Sequence, residues 1–85
     1  MKIEKSGRYA VFNMTILNED KYSFNKVEYI DNSALKPTWK SLCTSLSYGK
    51  YCYKKIYFQS GNHDITVRVS DDAGNSDKEN KVVKI

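Results

Sequence analysis

A period of two in the apolar side chains of short segments is the feature that most constrains this chain. In residues 63–70, Ile65, Val67 and Val69 alternate with polar side chains. Residues 9–17 repeat the pattern, and the side expected to face a core carries Ala10, Phe12, Met14 and Ile16. Because successive side chains of a β-strand point to opposite faces, a period of two predicts strands with one buried face. No segment has the period of an amphipathic helix, so we predict an all-β protein.

Turn-forming residues divide the rest of the chain into further strands, which we expect over residues 26–31, 38–42, 51–59 and 79–85. About six to seven short strands, with turns every eight to twelve residues, are typical of an antiparallel β-sandwich. We assign residues 9–85 to one such domain and residues 1–8 to an N-terminal tail. The predicted core consists of Phe12, Met14, Ile16, Val27, Tyr29, Trp39, Ile56, Phe58, Ile65, Val67 and Val69.

The segment Gly61–Asn75, GNHDITVRVSDDAGN, resembles the closing hairpin of bacterial and archaeal immunoglobulin-like domains. Those hairpins commonly read G-x-H-x-I-x-V-R and then D-x-A-G-N. Upstream, residues 26–29 followed by Trp39 are similar to the V-E-Y … W portion of the same modules, so the resemblance covers roughly residues 24–85. It implies an immunoglobulin-like sandwich.

Modules of that family act as stalks, adhesins, spacers and appendages of secreted enzymes. The resemblance therefore implies a non-catalytic structural or adhesive module of a larger extracellular or cell-surface protein. Its expected partners are the neighbouring domains of that protein or other surface proteins. The generic pattern of the family lacks the two cysteines found here.

Cys43 and Cys52 are nine residues apart and flank the turn at residues 48–50, which places them across a hairpin or a short return loop. A disulfide closing such a loop contributes about 2–3 kcal/mol and persists in oxidising compartments. The alternative is a pair of buried thiols in a cytosolic protein. With His63 the cysteines offer three metal ligands but not the spacing of a zinc site, so we predict a disulfide and no metal.

A basic and aromatic segment at residues 36–58 offers the clearest candidate binding surface. No acidic residue occurs between Asp31 and Asp64, whereas five lysines do. Alternation places the tyrosines of this segment on the face opposite Cys52 and Phe58. The predicted ligand-contact face consists of Lys50, Tyr51, Tyr53, Lys55 and Tyr57.

Tyrosine rings beside lysines can stack on sugars or bases and attract anionic polymers. The alternative function is accordingly a module that binds glycans or another anionic polymer, although the same residues also suit an ordinary sheet surface. A nucleic-acid binder of the cytosol would carry free thiols, so nucleic acid is not among the predicted partners.

Two other motifs have simple explanations. Asn13-Met14-Thr15 is an N-glycosylation sequon on the outward side of its strand, but one sequon in this chain is also expected by chance. The second motif is a run of oxygen-bearing side chains that could bind calcium, which prefers oxygen ligands: Asp71, Asp72, Asn75 and Asp77. A plain turn explains this run without a metal.

Nothing in the chain converges on catalysis or a cofactor. The single histidine stands at the start of a strand, the serines are scattered, and the carboxylates cluster in turns. No apolar run approaches the roughly 20 residues of a membrane-spanning helix. The first residues do not resemble a signal peptide, so we expect any export signal to lie elsewhere in a longer chain.

Overall fold

The computed structural model of the chain describes residues 2–15, 24–44, 51–71 and 74–85. These residues form strands and turns without any helix, which confirms the all-β prediction. None of them belongs to a helix long and apolar enough to cross a membrane. The strands are β1 (Lys2–Ser6), β2 (Tyr9–Thr15), β3 (Phe24–Asp31), β4 (Lys40–Cys43), β5 (Tyr51–Tyr57), β6 (Asn62–Asp71) and β7 (Ser76–Lys84).

The strands form two antiparallel sheets. A three-stranded sheet has the order β1-β2-β5, and a four-stranded sheet has the order β4-β3-β6-β7. β1 and β2 are a hairpin in which Ser6 lies opposite Tyr9. Gly7, the first of the two turn residues, has a φ of 62°, a conformation that glycine adopts without the steric penalty of a side chain. The chain then crosses between the sheets after β2, after β4 and again after β5.

The two sheets bury their inner faces against each other, as in a sandwich. Phe12 on β2 packs against Tyr29 on β3 with ring centroids 5.4 Å apart, and both rings pack against Phe58. These contacts join side chains of different sheets and so place the core between them. Its buried residues are Ile3, Ala10, Phe12, Met14, Val27, Tyr29, Leu42, Cys43, Cys52, Phe58, Ile65, Val67 and Val83.

Most of the predicted core is confirmed. Phe12, Met14, Val27, Tyr29, Phe58, Ile65 and Val67 are buried, and Ile56 and Val69 are partly buried against them. The prediction for Ile16 lies outside the described residues. The prediction for Trp39 is wrong, because β4 begins only at Lys40 and the buried positions of that strand are Leu42 and Cys43. Trp39 is half-buried and packs on a neighbouring arginine outside the core.

Both ends of the chain contribute more strand than the sequence predicts. Residues 2–6, which we expected to belong to a tail, pair with β2, and Ile3 is only 5% exposed. A single buried isoleucine among charged residues gives little alternation to read. β7 begins at Ser76 rather than at residue 79, because its polar first half pairs fully with β6. β1 and β7 contact each other along one side of the two sheets, and β4 and β5 do so along the other.

Candidate functional site

The outer face of the three-stranded sheet carries a row of exposed aromatic side chains. Tyr9 lies opposite Tyr57, and Asn13 opposite Tyr53, on the side away from the core. The tyrosines of this row are 42–59% exposed. We call this surface the tyrosine face and define it by Tyr9, Tyr51, Tyr53, Lys55 and Tyr57.

One end of the tyrosine face is organised by contacts between its own side chains. The rings of Tyr9 and Tyr57 meet edge to face, with centroids 5.7 Å apart. The ammonium group of Lys55 lies 5.1 Å from the centre of the Tyr9 ring, within the range of a cation–π contact. Arg8 donates a hydrogen bond of 3.2 Å from Nη1 to the hydroxyl of Tyr57. Aromatic rings and cations therefore occur together at this end.

The charge of this face is predominantly positive. Glu4 on β1 points to the same side, opposite Val11, and its carboxylate forms an ion pair of 3.1 Å with Lys2. Among the described residues of β2 and β5 there is no acidic side chain. Arg8 and Lys55 are therefore uncompensated by nearby carboxylates within the described strands.

The structure brings four of the five predicted contact residues onto one surface. Tyr51, Tyr53, Lys55 and Tyr57 share the tyrosine face, as the alternation predicts, whereas Lys50 lies outside the described residues. Sequence reasoning missed Tyr9 and Arg8. The alternation of residues 9–17 does place Tyr9 outward, but only the pairing of β2 with β5 brings it beside Tyr57. Asn13, the candidate glycosylation site, is exposed on the same face, and its modification stays a prediction.

The two cysteines form a disulfide that joins the two sheets. Cys43 ends β4 at the edge of the four-stranded sheet, and Cys52 lies in β5 at the edge of the other. Their Cα atoms are 6.0 Å apart, a usual separation for a disulfide. The bond is confirmed, but it spans the sandwich rather than closing a hairpin within one sheet. Cys52 is fully buried, so the bond is part of the core.

A groove of about 480 Å³ runs beside this disulfide between the two sheet edges. Tyr53 and Lys54 line it together with Cys43. Lys54 has the parity of the core residues and lies opposite Phe12, yet it is exposed. Because β5 is an edge strand, this long side chain can leave the inner face and reach water.

His63 forms a clamp between three parts of the chain at one end of the sandwich. Its Nδ1 lies 2.7 Å from Oδ2 of Asp31 at the end of β3, and its Nε2 lies 2.7 Å from the carbonyl oxygen of Gln59. Both partners are acceptors, and a neutral imidazole has only one N–H. The geometry therefore fits the doubly protonated ring. Burial lowers the pKa of His63, but the bond to Gln59 and the bond and charge of Asp31 outweigh it and raise the pKa above its ordinary value.

The loop after β3 is fixed to the same clamp. Asp31 accepts the backbone N–H of Ser33 at 2.9 Å, and Ser33 in turn accepts the backbone N–H of Asp64 at 3.0 Å. The backbone N–H of Asn32 donates to the carbonyl of Asp64 at 2.7 Å. These bonds hold the loop against β6 in one arrangement.

A cleft of about 610 Å³ opens beside this clamp. The loop after β3, the start of β4, the end of β5 and His63 form its walls. Lys36 and Lys40 line it, as do the rings of Tyr29 and Tyr57. The sequence gives no direct sign of this cleft, because it depends on the approach of segments far apart in the chain.

The outer face of the four-stranded sheet carries a different cluster. Arg68 donates to Oε1 of Glu28 from Nε at 3.2 Å and from Nη2 at 2.7 Å, and Lys26 lies 3.6 Å from the other carboxylate oxygen. The hydrogen bond from Arg68 is the main reason that the pKa of Glu28 lies below its ordinary value. The guanidinium carbon of Arg68 is 3.9 Å from the centre of the Trp39 ring. This cluster fixes Trp39 on the surface of the sheet.

The acidic turn before β7 is held by its own hydrogen bonds. Asp71 accepts the backbone N–H of Asn75 at 2.9 Å and its side-chain amide at 3.3 Å, as in the turns that aspartate commonly forms. Asp72 lies outside the described residues. Within the described part of the chain, no three His, Cys, Asp or Glu side chains are grouped as metal ligands.

Comparison of the chain with protein-family models, with curated proteins and with solved structures finds no match.

Proposed function

We propose that this chain is a non-catalytic, immunoglobulin-like module of a secreted or cell-surface protein, in which it is a structural or adhesive unit between neighbouring domains. The strand order supports the immunoglobulin-like part of the proposal. In a seven-stranded immunoglobulin domain, strands one, two and five share a sheet, strands three, six and seven form the other, and strand four lies beside strand five. Here the fourth strand pairs with the third instead. The remaining order is the same.

The observation that carries the proposal is the disulfide between β4 and β5. Structural disulfides persist in secreted and surface proteins and are rare in reducing compartments. A domain of 85 residues has a small core and gains a large part of its stability from such a bond. Because the bond joins the two sheets at one edge, it opposes their separation when a load acts on the module. A structural role makes direct use of this property.

The engagement of the reactive side chains supports a role without catalysis. Both ring nitrogens of the single histidine contact acceptors, and both cysteines are in the disulfide. Glu28 is bound to Arg68. A general base or nucleophile needs an available lone pair or a hydroxyl beside a base. The histidine, the two cysteines and Glu28 are already engaged and offer neither.

The test is the location of the module in the cell that makes it. Intact cells are treated with an amine-reactive biotin reagent that does not cross membranes, and the lysines of the module are examined by peptide mass spectrometry. We expect labelling of exposed lysines such as Lys55 and Lys84, with a cytosolic protein of the same cells as the unlabelled control. Labelling only after the cells are broken would contradict the proposal.

The tyrosine face supports a second candidate function, the binding of glycans or another anionic polymer. The specific observation is the grouping of Tyr9, Tyr57, Arg8 and Lys55, in which two exposed rings meet two cations. Rings of this kind offer flat apolar surface, and the cations attract anionic groups. The bound glycan or polymer would lie along the outer face of β2 and β5.

Retention on immobilised heparin and on a glycan array tests this candidate. We expect retention at low salt that falls as salt rises, since screening weakens attraction between exposed charges. Tyr53→Ala and Lys55→Ala should reduce it. Lys78→Ala on β7 of the other sheet is the matched control and should not. Equal losses in Lys55→Ala and Lys78→Ala would show attraction by net charge alone and contradict a specific face.

A further inference from the structure

The cleft beside His63 has the size and the pre-formed walls of a small-ligand site. Its volume of about 610 Å³ lies within the range usual for ligand pockets. The loop that forms one wall is tied to β6 through Asn32 and Ser33. A ligand would therefore meet a surface that is already ordered.

The cleft carries uncompensated positive charge. Lys36 and Lys40 line it, and neither has an ion-pair partner among the described residues. Among the described residues that line it, the one carboxylate is that of Asp31, and it is already engaged by His63 at 2.7 Å. The free cations leave the cleft suited to an anion.

Tyr29 supplies a second observation that points to a ligand. The residue is only 6% exposed, it lines the cleft, and its hydroxyl has no hydrogen-bond partner among the described residues. No fully buried side-chain oxygen in that part of the chain lacks a partner, so the hydroxyl oxygen is in part accessible, in a residue that lines the cleft. Burial, and then the charge of Asp31, raise the pKa of Tyr29. The hydroxyl therefore keeps its proton and is a donor.

We propose that this cleft binds a carboxylate-bearing sugar, a hexuronic acid, with its carboxylate between Lys36 and Lys40 and within reach of the Tyr29 hydroxyl. Ammonium groups and a hydroxyl donor are the partners that a carboxylate prefers. The other lining groups, on Ser33, Thr38 and Gln59, can pair with the hydroxyls of a sugar but would be unmatched by a simple aliphatic acid. Tyr57, whose ring belongs both to the cleft and to the tyrosine face, offers a surface on which the sugar ring can stack.

This site goes beyond the proposed function, and the residues whose replacement should weaken binding there, Lys36, Lys40 and Tyr29, are not those replaced to test the tyrosine face. The whole 85-residue chain, labelled with ¹⁵N, is titrated with sodium glucuronate, and glucose at matched salt is the neutral control. We expect saturable chemical-shift changes confined to residues 29–40 and 57–63, with glucuronate binding at least about tenfold more tightly than glucose.

Variants assign the binding to the named groups. Lys36→Gln with Lys40→Gln should weaken glucuronate binding about tenfold or more, and Tyr29→Phe should weaken it several-fold, as expected for a lost hydrogen bond to a charged group. Lys78→Gln with Lys81→Gln removes the same charge from β7 and should leave binding unchanged. The lysine variants alter exposed side chains, so we expect them to fold as the unaltered chain does, and a loss of binding then reports on the cleft.

An oligomer of uronic acid separates the two sources of the sugar. Tighter binding of the oligomer at the same residues indicates a polysaccharide, and equal binding indicates the free sugar acid; both support the site. Binding of glucose as tight as that of glucuronate would overturn the proposal. So would shifts spread over lysines on every face, an equal loss in the β7 control, or tighter binding of a glutamate-rich peptide at these residues.

Discussion

Reduction of the bond between Cys43 and Cys52 should lower the free energy of unfolding by about 2.6 kcal/mol. The two residues are nine positions apart. A bond that closes a loop of this length lowers the conformational entropy of the unfolded chain and so raises its free energy by this amount. The free energy of unfolding of an 85-residue domain is typically about 4–13 kcal/mol in total. For a domain of this size the loss corresponds to a fall of roughly 15 °C in Tm.

The position of the bond explains why no other contact replaces it. β4 and β5 belong to different sheets and share no backbone ladder, so the disulfide is the covalent tie along their side of the sandwich. Without it, their contact depends on apolar side chains such as Leu42 and Ile56, of which Ile56 is only partly buried. Reduction should also increase the denaturant m-value, because the unfolded chain then expands further.

The assay is thermal unfolding followed by circular dichroism, with and without reductant, in samples whose redox state is established by intact mass. The double variant Cys43→Ala with Cys52→Ala is the control. It should melt near the reduced protein and should not respond to reductant. A change of less than about 4 °C in a protein that has gained two hydrogens would refute the reasoning.

Three further predictions concern the core, the histidine clamp and the arginine cluster. Phe12→Ala should lower the free energy of unfolding by about 3–5 kcal/mol, because this fully buried ring leaves a cavity between the sheets; urea unfolding measures it, and a loss under about 1.5 kcal/mol would contradict the packing. The pKa of His63 is raised in the folded state, so its contribution to stability is complete below its unfolded pKa of about 6.5 and is lost as pH rises through the folded pKa. The urea midpoint should therefore fall as pH rises above about 6.5, and His63→Gln should remove that part of the fall; an unchanged pH profile in the variant would contradict the clamp. Arg68→Lys should cost about 1 kcal/mol, since lysine loses the two-point contact with Glu28 and the stacking on Trp39; a double-mutant cycle with Glu28→Gln measures the coupling, and a coupling near zero would contradict it.

Alternation in the sequence was sufficient to predict the strands with one buried face. β6 is the clearest example, because Ile65 and Val67 are buried as their spacing predicts, and the inward parity of Phe12 and Met14 in β2 is confirmed as well. The tyrosines of β5 are exposed for the same reason. These are local properties that depend on the period of two.

The features that the sequence did not predict depend on contacts between distant segments. Ile3 is buried only because β1 pairs with β2 and contacts β7. Trp39 lies outside the core because β4 starts two residues later than predicted, at Lys40, and because Arg68 offers its ring a cation to stack on. The nine-residue spacing predicts a disulfide between Cys43 and Cys52 but does not specify that it spans two sheets, and the cleft beside His63 needs β3, β5 and β6 to meet.

The redox state of Cys43 and Cys52 in the cells that make the protein tests the central claim most directly. Cells are quenched in acid to stop thiol exchange, free thiols are alkylated, and the peptides that contain the two residues are measured by mass spectrometry. If a disulfide joins the two sheets and the module is exported to an oxidising compartment, the two cysteines should be found in one linked peptide pair without alkylation. Two alkylated cysteines in the accumulated protein would contradict that account.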